Sequence, residues 1–383
     1  MSSNGNVQKT AMHLAADNGQ SVWLDYILRS FTESGKLAEL IRKGLRGVTS
    51  NPSIFEKAIA DSQDYKSVLE DPESAKQEPG KVFEKLAIED IRAAAKEFEG
   101  VYRDTDAADG YVSYEVEPSL AKNTQVTANE AKRLWKTIDR PNVMIKIPGT
   151  PEGVQAIEDT IAEGANVNVT LLFSVDAYEE AARAYIRGLK RLGQKQQDLS
   201  RTASVASFFL SRIDGVVDKQ LDEKLKTANG ADKSKLEALK GKAAVANAKI
   251  AYERFERIFS GPEWEALAAK GARKQRVLWA STSTKNPKYP DLMYVEPLIG
   301  PDTVNTMPLP TVQAFMDHGK VANTIKNDLP AAHDVIRQLE ELGISMKKVT
   351  DDLLVDGVKQ FSTAFDKLIA AVGANKKKEG VNA

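Results

Sequence analysis

Eight short runs dominated by aliphatic, aromatic and β-branched side chains recur along the chain, at residues 21–27, 46–51, 110–118, 143–148, 166–174, 202–210, 276–282 and 302–308. Runs of this length and make-up predict strands. Between them lie longer stretches in which apolar residues return every three or four positions, the spacing of an amphipathic helix. The clearest is 175–193, where Tyr178, Ala182, Tyr185, Leu189 and Leu192 share a face. Glu179 and Glu180 are assigned to its first turn, Lys190 and Arg191 to its last, and Gly193 to its stop, an order that complements the helix dipole. Strand then helix, repeated, predicts a parallel sheet. Eight units favour a closed (β/α)8 TIM barrel of the α/β class. A doubly wound sheet is the alternative, but no G-x-G-x-x-G follows a strand, and "GTPEG" (149–153) is too short to count as a phosphate loop.

Three stretches read as additions to such a barrel. Residues 61–82 are polar and predict helical connections before the third strand; 222–246, rich in alanine and lysine, predicts an exposed helical excursion after the sixth; the tail 374–383 is expected to fray. The expected organisation is one barrel domain over residues 1–383 with helical extensions at both ends.

Composition narrows the chemistry. Of 383 residues 42% are hydrophobic and 28% charged, with a formal net charge of −1, so nothing favours a nucleic acid or an anionic membrane as partner. No apolar run approaches the roughly 20 residues needed to span a bilayer, and "MSSNGNVQKT" lacks a signal-peptide core; a cytoplasmic protein is expected. There is no cysteine, which removes disulfides, thiolate metal sites and cysteine nucleophiles. His13, His318 and His333 do not cluster, which argues against a histidine metal centre or a Ser-His-Asp triad. No metal site is expected.

In a barrel of this kind chemistry sits at the C-terminal ends of the strands, and polar residues recur there. They are Asp25; Thr49, Ser50 and Asn51; Ser113 and Glu115; Lys146; Asn168 and Thr170; Ser204 and Ser207, with Arg212 a turn later; Ser281 and Lys285; and Asn305 and Thr306. Side-chain alternation puts Ser113 with Glu115, and Asn168 with Thr170. The strands that carry these pairs flank the one that carries Lys146. That lysine interrupts "VMIKIP", an otherwise apolar run. Burial disfavours an ammonium, and a lysine that is neutral near pH 7 attacks carbonyls to form a Schiff base. The alternative is a structural ion pair with an inward carboxylate such as Glu115. Asp25 and Glu115 could likewise be paired structurally, Asn51 could cap a helix, and Arg212 and Lys285 could be solvated surface charges.

Six segments in order resemble transaldolase motifs: "GVTSNPSIFEKAI" (47–59), "VSYEVEP" (112–118), "VMIKIPGTPEG" (143–153), "GANVNVTLLFS" (164–174), "ASVASFFLSRID" (203–214) and "LWASTSTKNP…YVEPLIGPDTVNTMP" (278–308). The resemblance is to the longer bacterial branch of that family. It implies a class I aldolase barrel that moves a dihydroxyacetone unit between phosphorylated sugars without a cofactor. It assigns Lys146 as Schiff-base former and Asp25 as the group that handles the C4 hydroxyl proton. Glu115 and Thr170 become proton shuttles through a water. Asn51 and Asn168 become partners of substrate hydroxyls, and Ser207 and Arg212 the phosphate segment. Where relatives carry a second phosphate-binding arginine, this chain reads "ASTSTKNP", and Ser281 and Lys285 are the substitutes. Tyr26 stands where the branch often has asparagine, which is expected to alter the pocket rim. The rival readings are an aldolase that releases free products, a non-catalytic sugar-phosphate binder, and a pyridoxal-phosphate enzyme, which would be coloured.

Overall fold

The computed structural model describes residues 9–377; most of the tail expected to fray lies outside them. Eight parallel strands close in sequence order into one barrel. They are β1 (Gln20–Asp25), β2 (Gly47–Thr49), β3 (Tyr111–Glu115), β4 (Val143–Pro148), β5 (Val167–Leu172), β6 (Ser204–Phe209), β7 (Arg276–Ala280) and β8 (Thr303–Met307). All eight coincide with the predicted runs, usually trimmed by a residue or two; β2 shrinks to three residues because Asn51 already caps the following helix.

The barrel interior is layered. At the N-terminal end Arg276 donates to Asp109 and to Ser21, and Trp23 Nε1 also donates to Asp109. One layer up, Trp23 lies against Tyr111, ring centroids 6.4 Å apart. A Cβ on Gly47 would stand 2.6 Å from the Trp23 ring, so only glycine leaves room for that indole. Above this plug the inward positions turn polar. Every second residue faces inward, so Trp23 and Asp25 share a face, as do Gly47 and Thr49. The apolar plug therefore closes the floor under a polar mouth, the division of labour usual in this architecture.

The helix predicted over 175–193 runs Val175–Leu192, and Tyr178, Ala182, Tyr185, Leu189 and Leu192 are all buried. It starts where expected, capped by Ser174, but the first-turn acid is Asp176, not Glu179 or Glu180. Glu179 instead meets Arg183 and Arg254. The excursion after β6 is helical but only partly exposed, since Leu236, Leu239, Ala243 and Ala244 are buried. It is tied down by Asp214 and Asp218, which accept from the backbone N–H groups of Ala244 and Gly241. Tyr294 and Tyr289 donate to the same two carboxylates. Burial pushes the Asp214 carboxyl up to about 6.

The last helix, Met346–Lys377, crosses the mouth of the barrel. Its Gly357 approaches Leu171 and Phe173 at the end of β5, Phe361 lies over Lys146, and Phe365 packs on Phe83. No helix among the described residues is long and apolar enough to cross a membrane.

One glycine ties the fold to the site. Thr150 caps the helix after β4 by accepting from Gly153 N at 3.0 Å, which folds the chain tightly back on the strand end. A Cβ on Gly153 would fall 2.0 Å from the Pro148 carbonyl oxygen. Both partners are backbone, so Gly153→Ala must push the helix away from β4. It is expected to destabilise the fold by about 1–3 kcal/mol, the usual range for overpacking, measured as a lower denaturant midpoint with unchanged m-value.

Candidate active site

Lys146 points into the barrel and is 4% exposed. Its Nζ lies 3.2 Å from Glu115 Oε2 and donates to the Ser50 carbonyl at 3.0 Å. Strand register sets this up: Glu115, Lys146 and Asn168 are direct neighbours across β3, β4 and β5. Beyond the contact with the amine, neither Glu115 oxygen has a hydrogen-bond partner among the described residues. Burial pushes the Glu115 carboxyl up, the Lys146 charge pulls it back, and Asp25 adds to the rise. The ion pair offered as the structural alternative is thus present. It does not exclude the chemical role, because a carboxylate that readily takes a proton beside an amine is a means of freeing that amine.

Asp25 sits at the end of β1, partly reachable through the mouth. Thr49 donates to its Oδ1 at 2.7 Å, and Thr306 stands 2.7 Å behind Thr49 to complete the chain. Burial raises the Asp25 carboxyl; Lys146, the Thr49 hydrogen bond and Lys285 lower it. Asp25 and Glu115 therefore stand in the field of the same amine. If Asp25 works as a base it must be ionised, and Thr49 helps keep it so. Thr49→Val removes that donor, so the acid limb of kcat/KM should move to higher pH, while Thr49→Ser restores it. An unmoved limb in the valine variant would separate Thr49 from the titration.

Asn168 is held at both ends, donating to Ser113 Oγ at 3.0 Å and accepting from Ser207 Oγ at 2.7 Å. Ser207 is therefore engaged with Asn168. Asn51 does cap a helix, its Oδ1 accepting from Ile54 N at 3.0 Å, which leaves its amide N–H groups free of that role. Thr170 Oγ1 is buried with no hydrogen-bond partner among the described residues. It precedes a β-bulge, where the β5–β6 register shifts between Val169 and Leu172 and Leu171 adopts φ 60°. Asn305 turns away from the interior and donates to the Tyr294 carbonyl.

Arg212 opens the helix after β6. Its Nη1 is buried with no hydrogen-bond partner among the described residues, and burial holds the guanidinium below its usual range while Asp356 partly offsets this. Ser281, at φ 56°, fastens this helix: its carbonyl accepts from Ser211 N at 3.1 Å and its hydroxyl lies 2.9 Å from Ser211 Oγ. Lys285 is exposed and donates to Ser283 at 2.7 Å. Crowding lowers its ammonium, as do the charges of Arg212 and Lys57, and Asp25 opposes them. Arg212, Lys285 and Lys57 thus form a cationic side of the mouth.

One expectation changes. Tyr26 does not touch the pocket rim. Next to inward Asp25 it faces outward, packing edge-on against Phe31 in a groove with Leu309 and Met316. The roof residues Gly357 and Phe361 were not anticipated at all. The signal available was a glycine, Gly357, well inside a long helical pattern.

No cluster of His, Cys, Asp or Glu suited to a metal occurs among the described residues. Residues 22–372 match the Transaldolase/Fructose-6-phosphate aldolase family. A transaldolase of Trichodesmium erythraeum is 49% identical over 364 residues, covering 94% of this chain and 96% of its own. A "Transaldolase 2" of a Nostoc species is 48% identical over 366 residues, covering 94% and 96%. A transaldolase of Parafrankia is 46% identical over 356 residues, covering 92% and 95%. With a barrel that buries a lysine against the Glu115 carboxylate, and likeness along nearly its whole length, the chain belongs to the Transaldolase/Fructose-6-phosphate aldolase family.

Proposed function

We propose that Lys146 is the covalent nucleophile of this barrel, that Asp25 moves the proton of the cleaved bond, and that Glu115 and Thr170 serve imine formation. The chain is an enzyme, and its activity is that of a transaldolase, working by a Schiff base in the pentose phosphate pathway. Fructose 6-phosphate or sedoheptulose 7-phosphate donates, and glyceraldehyde 3-phosphate or erythrose 4-phosphate accepts. The observation that carries the site assignment is the buried Lys146–Glu115 contact at 3.2 Å, with Asp25 in its field.

The steps follow from those positions. Glu115 takes a proton from the ammonium, and the amine attacks the ketose C2. Glu115 then returns the proton to the departing hydroxyl, with Thr170 Oγ1, which lacks a protein partner, orienting the water. The protonated imine withdraws electrons, Asp25 accepts the C4 hydroxyl proton, the C3–C4 bond breaks, and the aldose leaves. The enamine waits for an acceptor aldehyde, and the steps reverse. Asn51 and Asn168 bind hydroxyls in this reading, Ser207 holding Asn168 in place. Arg212 grips the phosphate, with Lys285 as the second cation and Ser281 fixing the helix that carries Arg212.

Borohydride reduction in the presence of fructose 6-phosphate tests the reading. A stable adduct mapped to the Lys146 peptide supports it; substrate binding with no adduct would leave only a sugar-phosphate binder. Arg212→Ala should raise KM for fructose 6-phosphate at least about tenfold, the loss of one charge-assisted pair, with kcat much less changed; an unchanged KM would move the phosphate site elsewhere. We also propose that the extensions belong to one domain with the barrel, since the last helix packs on the barrel's own loops, and that the enzyme works in the cytoplasm.

A further inference from the structure

We propose that the C-terminal helix is the part of this enzyme that makes it a transferase, through Phe361 as roof and Gly357 as gap. The inference rests on Lys146 carrying the enamine.

An enamine in water has a competing fate. Its nucleophilic carbon can take a proton, water then adds to the iminium carbon, the C–N bond breaks, and free dihydroxyacetone departs with the amine restored. Every atom that route needs comes from water. Transfer requires that water be kept from the enamine while the mouth stays open to an aldehyde.

The helix is built for that division. Val349, Leu353, Gly357, Phe361, Leu368 and Val372 form its buried stripe, and Gly357 and Phe361 are the part of it that meets the strand ends. Phe361, 5% exposed, holds its ring centroid 5.9 Å from Lys146 Nζ. A ring there covers the reacting nitrogen with an apolar face, and its quadrupole favours the protonated imine over the neutral one. Neither the strands nor their loops offer another aromatic ring within cation–π reach of that nitrogen among the described residues.

Gly357 lies one turn earlier on the same stripe. A Cβ there would stand 3.0 Å from Leu171 Cδ2, 3.6 Å from Phe173 Cε2 and 3.7 Å from Arg212 Nη1. Glycine inside a helix is less favourable than alanine, and here the missing methyl keeps clear the space beside Arg212 Nη1, which is buried with no hydrogen-bond partner among the described residues. One face of one helix thus closes the amine side of the cavity and leaves the phosphate side open.

The test uses the full chain. For Phe361→Ala and Phe361→Leu, release of free dihydroxyacetone from fructose 6-phosphate is measured without acceptor, transfer is measured with erythrose 4-phosphate, and borohydride adducts are quantified. The ratio of release to transfer is expected to rise at least tenfold in the alanine variant and less in the leucine variant, with adduct formation retained. Gly357→Ala should raise KM for fructose 6-phosphate without changing that ratio. A thermal melt identifies any alanine variant that fails to fold, and the leucine variant then decides. If release and transfer fall together with the ratio unchanged, Phe361 is packing and the proposal is overturned. Absence of any adduct in the unaltered enzyme would instead overturn the role of Lys146, so the two failures are distinguishable.

Discussion

Lys146→Ala is expected to abolish the borohydride-trapped adduct and to lower turnover at least about 10⁴-fold, as removal of a covalent nucleophile does elsewhere. The fold should survive. Taking one partner from a buried pair ordinarily destabilises strongly because the other charge stays buried. Here the partner is a carboxyl that burial already pushes toward its neutral form, and Lys146 is the chief influence holding it down. Without the lysine, Glu115 takes up a proton and is buried uncharged. The sign follows from linkage: a carboxyl raised in the folded state favours folding at low pH and loses that contribution as pH rises through its folded value. The variant should therefore lose more stability than the unaltered enzyme as pH rises above the ordinary carboxylate range, read from chemical denaturation. Persistent turnover in pure Lys146→Ala would refute the mechanism; an identical pH dependence of stability would refute the account of Glu115.

Asp25→Ala is the second large effect. It should slow carbon–carbon cleavage by roughly 10²–10⁴-fold, the contribution of a positioned acid–base group, while the imine still forms. The split is expected because Glu115, not Asp25, is the carboxylate in contact with the amine. Asp25 is instead held to the strand ends by Thr49 and Thr306, at the mouth side of the cavity. Rapid-quench trapping would show the adduct accumulating at a nearly normal rate and cleavage lagging behind it. Equal slowing of both steps would mean that Asp25 serves the amine, and its assigned role would fall.

The two variants probe opposite ends of one electrostatic arrangement. Asp25 and Glu115 are both raised by burial and both restrained by Lys146. Removing the cation should therefore raise both carboxyls, whereas removing Asp25 takes away one of the influences that raise Glu115. A pH profile of adduct formation in Asp25→Ala whose acid limb moves to lower pH would follow from that coupling.

The periodicity of the chain determined much about this protein before any coordinates. Eight apolar runs alternating with helical stretches specify the closed barrel, because side-chain burial on two faces of a parallel sheet leaves that pattern in any sequence that adopts it. A lysine in "VMIKIP" and carboxylates at parity-matched strand ends mark the chemistry for the same reason: strand register converts alternation into proximity, and Glu115 and Lys146 are register neighbours. What the chain order could not convey was anything that depends on distant segments meeting. Tyr26 looked like a rim residue from its adjacency to Asp25, yet that adjacency turns it outward. Ser281, expected beside a phosphate, has its hydroxyl 2.9 Å from Ser211 Oγ at the start of the helix that carries Arg212, a meeting of distant segments. The roof came from a helix more than 200 residues after Lys146 in the chain; its amphipathic stripe says only that it packs on something. Which surface it covers, and that Phe361 lands on the amine, was decided by the three-dimensional path of the chain, since burial stripes carry no information about their partners.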